Sequence, residues 1–147
     1  MRPFSFRLDS ILNYRNYLEK RAQRDLFNAK NEYVGRKEAL RKLEDKRMET
    51  ARRCSDEGFR GIDVAFYQMY RSFLQKLDYD LEGAHIGLEE GKEKVKVQEA
   101  VLRKESIKKK TLETLKDLQL KKYSERLERE EQKIVDELVI IKRGGRA

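Results

Sequence analysis

Apolar residues recur along the first third of the chain at steps of four and three. The path runs Leu8, Leu12, Arg15, Glu19, Ala22, Leu26, Ala29, Tyr33, Arg36, Leu40, Leu43, Arg47, Thr50, Cys54. Nine of the fourteen positions are apolar, and the spacing persists for about seven heptads, which predicts one long helix with a coiled-coil seam. Ser5 is the expected N-cap, with Asp9 favouring the positive end of the helix dipole. The pattern stops at Ser55-Asp56-Glu57-Gly58-Phe59-Arg60-Gly61, where two glycines three residues apart signal a turn. Asp63 can cap a second helix that opens on Val64, Phe66, Tyr67, Tyr70, Phe73, Leu74, Leu77 and Leu81. Its seam continues through Ala84, Leu88, Val95 and Leu102, loses register between Glu105 and Lys110, and resumes at Leu120, Tyr123, Leu127, Ile134 and Ile141. The expectation is an all-α, long antiparallel two-helix coiled-coil hairpin forming a single domain. Helix one spans about 5–56, a turn about 57–62, and helix two about 63–143.

Folding the chain at residue 59 or 60 sets position i opposite roughly 119 − i. Leu8 then faces residue 111, and residues 112–141 project beyond the start of their partner helix. Two readings of that projection stay open: fraying or self-association, or docking on another protein. Gly83, Gly87 and Gly91 sit at spacing four, with Gly35 opposite. Glycine inside a helix costs about 1 kcal/mol against alanine, so the group calls for close helix packing or for a bend. The aromatics Phe66, Tyr67, Tyr70, Phe73 and Tyr79, beside Phe59, are too many for one helix face to bury. They form either a small core capping the hairpin or an exposed docking patch.

Composition supports the helical reading. Of 147 residues, 42% are charged and 38% hydrophobic, with one proline and no tryptophan. The net charge of +8 makes acidic partners plausible. It is unevenly spread: residues 1–57 carry 15 basic and 10 acidic side chains, 58–101 carry 6 and 8, and 102–147 carry 14 and 9. A single cysteine, Cys54, permits no internal disulfide and suits a reducing compartment. No apolar run is long enough to cross a membrane, and the opening residues lack the core of a secretory signal.

Catalytic chemistry is not expected. His85 is the only histidine and Cys54 has no second cysteine nearby, which argues against a metal centre. The carboxylates interleave with Lys and Arg at helical spacing, as in Glu38–Lys42 and Glu125–Arg129, so they read as solvated ion pairs. No cofactor is expected. Lys108-Lys109-Lys110 and Lys121-Lys122 are basic clusters, but acidic residues recur within a turn or two of each, which argues against nucleic acid.

Four stretches resemble the FliJ family, the small coiled-coil component of the bacterial flagellar type III export apparatus. They are the opening Phe4-Ser-Phe6-Arg7-Leu8 with Ile11-Leu12-Asn-Tyr14-Arg15, the break at one-third of the length, the stretch Tyr70-Arg-Ser-Phe73-Leu-Gln-Lys-Leu77, and the closing Lys133-Ile-Val-Asp136-Glu137. The resemblance implies a non-enzymatic stalk similar to the central stalk of rotary ATPases. It would promote assembly and activity of the export ATPase, FliI, through Phe4, Arg7, Leu8, Ile11, Leu127, Ile134 and Leu138. It also implies docking on the cytoplasmic domain of the export gate protein FlhA through Phe66, Tyr70, Phe73 and Leu77. Two further positions of that family patch align with Asp80 and Ala84, a departure from its pattern. The ATPase regulator FliH and substrate export chaperones are implied partners without assignable residues. The implied location is cytoplasmic, peripheral at the inner face of the cell membrane and held there only through the export gate. Alternatives are the equivalent stalk of a virulence secretion system and a self-associating coiled-coil scaffold.

Overall fold

The structure, a computed structural model, describes residues 2–145. It is a helical hairpin: α1 runs Asp9–Arg60 and α2 runs Val64–Gly144. By their internal contacts the residues fall into two compact units, 21–102 and the pair of segments 1–20 with 103–147.

The ends of the helices follow from local chemistry. Helix one begins at Asp9 rather than near Ser5. Leu8 occupies the N-cap position, because its carbonyl accepts the first intrahelical bond, from the Leu12 amide at 2.9 Å. Residues 2–6 are non-helical, and the Asp9 amide closes a turn onto the Phe6 carbonyl at 3.1 Å. The side chain at the cap is apolar, and it is Asp9, one residue on, that supplies the acidic group near the helix start. At the other end, Gly58 is helical and only Gly61 breaks the chain, at φ 84°. The connection is therefore residues 61–63, shorter and later than the expected 57–62. Asp63 is the N-cap of α2, its carbonyl accepting from the Tyr67 amide at 3.1 Å.

The later turn moves the register. In the unit of residues 21–102, Arg47 pairs with Asp78 at 2.6 Å. In the other unit, Lys116 pairs with Asp9 at 2.9 Å, and the Tyr123 hydroxyl donates to the Arg2 carbonyl at 2.8 Å. The residue numbers in each of these pairs total 125 rather than 119. The projecting part of α2 is correspondingly shorter than expected: it begins after Leu127, not at Leu112. Leu112, Lys116, Tyr123 and Leu127 are all partly buried, whereas every residue from 128 to 145 is exposed.

All fourteen seam positions of α1, from Leu8 to Cys54, lose exposure, and Ala22, Ala29, Leu40 and Cys54 are buried. Burial at 2% exposure makes Leu77 the most buried apolar side chain of α2. Most seam side chains are only half-buried, as expected when one helix has one neighbour rather than a surrounding core. Of the interior glycines, Gly91 alone meets the opposite side chains closely: a Cβ there would lie 3.2 Å from Arg36 Cδ. The Arg36 guanidinium also bonds the Gly87 carbonyl at 2.5 Å. A Cβ on Gly35 or Gly83 would meet nothing within 4 Å. Spacing four advances the helix by 400°, so Gly83, Gly87 and Gly91 drift around the surface instead of lining one close contact.

Candidate partner-binding surfaces

In the unit containing the chain's start, residues 2–8 lie against α2. Phe6 is buried at 4% exposure, with Lys116 Nζ 6.0 Å from the centre of its ring. The half-buried Phe4 ring meets Tyr123 at 5.6 Å, tilted by 50°, within the favourable range for aromatic pairs. An open groove beside this contact is lined by Arg2, Pro3, Phe4, Ser5, Gln119, Lys122, Tyr123 and Arg126, with three cations and no acid. Of the residues expected at the ATPase, Phe4 and Leu8 are half-buried, while Arg7 and Ile11 are exposed. Leu127 is half-buried, and Ile134 and Leu138 stand free of any other helix among the described residues.

Between residues 9 and 20 three ion pairs join the helices. Asp9 meets Lys116, Glu19 meets Lys109 at 3.2 Å, and Arg15 lies 3.8 Å from Glu105. Glu105, Ser106 and Lys109 occupy seam positions, so the stretch that reads as a loss of register keeps its register with charged residues. An apolar template cannot see such a seam. Glu105 Oε2 is buried without a hydrogen-bond partner, which marks this pairing as imperfectly satisfied.

In the unit of residues 21–102, the aromatic stretch divides. Phe59 is 96% exposed and Phe66 56% exposed, with Val64, Tyr67 and Met69 also exposed around them. Tyr70 and Phe73 are half-buried, and Lys46 Nζ stands 5.4 Å over the Phe73 ring. A shallow groove lined by Ala51, Cys54, Ser55, Gly58, Phe59, Tyr67 and Leu74 runs beside them. Phe66 shares the helix face of Tyr70, Phe73 and Leu77, yet it is exposed because α1 ends opposite it. Leu77, the fourth of the residues expected to dock, is by contrast 2% exposed and points into the seam. Asp80 and Ala84 are half-buried along the same seam, and Tyr79 faces away from it.

Elsewhere in that unit Glu32 joins the helices: Arg36, on the same helix, meets its carboxylate at 2.6 Å, and Lys94 of α2 meets it at 3.5 Å. Lys94 and then Arg36 hold the Glu32 carboxyl below its ordinary range. The hydrogen bond from Arg47 does the same for Asp78. Among the described residues, no group of three or more His, Cys, Asp and Glu could hold a metal ion. No helix among them is long and apolar enough to cross a membrane. The geometry offers grooves, rings and an unpaired helix, the equipment of protein recognition.

A protein-family model described as "Flagellar FliJ protein" matches residues 4–146. No protein of curated function and no solved structure matches the chain.

Proposed function

The chain belongs to the FliJ family of coiled-coil, non-enzymatic flagellar export components, and on that premise we propose that it acts as a stalk for the export ATPase and a tether to the export gate. The unpaired end of α2 carries this reading. Leu127, Ile134 and Leu138 rise along one face of a helix that, among the described residues, has no neighbour after residue 127. These apolar side chains stand in water, and such an exposed face favours a partner. Phe4, Arg7, Leu8 and Ile11 lie on the same unit and extend the surface that an ATPase ring would grip.

The exposed Phe66, with Tyr67, Tyr70 and Phe73, is the surface offered to the gate protein's cytoplasmic domain, with Leu77 supporting it. Aromatic anchors of this kind dominate binding energy where they become fully desolvated. The regulator FliH and the export chaperones belong to the same assembly, and the location that follows is cytoplasmic, at the inner face of the membrane through the gate.

The test is turnover by the cognate export ATPase titrated with this protein. The full chain should raise turnover, and a chain ending at residue 127 should not. An undiminished rise with the shortened chain would remove the end of α2 from the contact.

A further inference from the structure

Away from its seam, α2 carries a line of positive charge on another of its faces. At about 100° per residue, Lys122, Arg126, Arg129 and Lys133 fall within an arc of about 60°. That arc lies about 130° round the helix from Leu127, Ile134 and Leu138, so it is a different surface from the one the stalk reading assigns to the ATPase. All four side chains are exposed. Arg2 adds a fifth cation, lining with Lys122 and Arg126 the groove beside Phe4 and Tyr123. The Tyr123 hydroxyl, donating to the Arg2 carbonyl at 2.8 Å, holds that segment against α2. The ion pairs of this unit use Arg15, Lys108, Lys109 and Lys116, and among the described residues none involves these five cations. Like charges a turn apart work against the helix that carries them, an effect that anions laid across them reverse.

The ridge is bounded on every side. Glu130 stands about 40° beyond one edge and Glu125 about 40° beyond the other, so the basic face is narrow. Along the helix, the same arc carries Leu115 seven residues before Lys122 and Ile140 seven residues after Lys133. These two are 37% and 69% exposed, and Glu137 lies at the edge of the arc between Lys133 and Ile140. The face therefore reads apolar, basic, apolar. A phosphate chain, charged at every link, would run on over the apolar residues and past Glu137. A peptide can end its charges where the cations end.

We infer that this ridge and its groove bind an acidic segment of a partner protein. Its carboxylates meet Lys122, Arg126, Arg129 and Lys133, and apolar side chains at its two ends cover Leu115 and Ile140.

Fluorescence anisotropy with the full chain tests this without the ATPase, so its failure would leave the stalk reading standing. The probe is a labelled peptide with four glutamates spaced by alanines and a leucine at each end. It should bind, and the same peptide with glutamines in place of the glutamates should not. Lys122→Ala combined with Arg126→Ala should weaken binding about ten-fold. Lys110→Ala combined with Lys121→Ala removes as much charge from another face of α2 and should leave binding nearly unchanged. All four residues are exposed, so neither variant loses packing. An acidic peptide that does not bind would overturn the inference, as would equal effects of the two double variants. So would a five-nucleotide oligothymidylate, which matches the peptide in charge, binding at least as tightly.

Discussion

At the scale of single residues, burial separates two roles that the aromatic stretch superimposes. Leu77 and Phe66 lie on one face of α2, but Leu77 is 2% exposed and Phe66 is 56% exposed. Truncating the first removes packing, and truncating the second removes an exposed anchor. Leu77→Ala should lower stability by about 2–5 kcal/mol, towards the low end because one helix neighbour can collapse onto the gap. Phe66→Ala should leave thermal unfolding nearly unchanged while weakening binding to the gate protein. Circular dichroism melts beside a binding titration check the pair. Equal losses of stability in both variants would erase the distinction. The sequence shows all four docking candidates as equivalent helix-face positions. It cannot show that the opposing helix ends at Arg60 and leaves only Phe66 uncovered.

At the scale of the elements, the seam of α1 was legible because fourteen positions at steps of four and three are what a two-helix contact requires. Even Arg15, Glu19, Arg36 and Arg47 occupy their expected places, since long polar side chains can lay their stems along a seam and keep their charges at its edge. The seam of α2 between Glu105 and Lys110 was not legible, because Glu105 and Lys109 meet charges and read as a solvated face. The register was misplaced because Gly58 looks like a helix breaker, whereas its penalty of about 1 kcal/mol is easily carried by a helix already packed. Only Gly61 takes the left-handed conformation that ends α1.

The ionic contacts also set a pH dependence. The carboxyls of Glu32 and Asp78 titrate below their ordinary values of 4.5 and 3.8 in the folded chain. A depressed folded value means that the unfolded chain binds protons first. The contribution of these pairs is present above the ordinary values and is lost as pH falls through the lowered ones. Helix pairing should therefore hold from neutrality down to about pH 5 and weaken progressively below about pH 4. Melting temperature followed against pH measures this, and a melting temperature that rises on acidification would contradict the ionic account. Because the pairs are solvent-exposed, added salt should flatten the same profile.

At the scale of the whole molecule, the chain is a FliJ-family hairpin whose two units offer different equipment. One presents the exposed aromatics around Phe66, and the other presents the start of the chain and the unpaired end of α2. The excess of basic residues was visible in the sequence, and so was an end of the second helix that projects past its partner. The contact of Arg2, Phe4 and Phe6 with α2 was not, since a short non-helical segment carries no heptad signal. In hindsight Phe4 and Phe6, alternating just after Pro3, and Tyr123, an aromatic in a polar stretch, were the available clues.

The most direct measurement is hydrogen–deuterium exchange of the full chain with and without the cognate export ATPase. The stalk account predicts that adding the ATPase slows exchange across residues 127–141 and residues 4–11, while residues 64–77 keep their rates. Slowed exchange at residues 64–77 alone, with residues 127–141 unchanged, would contradict it and move the ATPase contact to the aromatic surface.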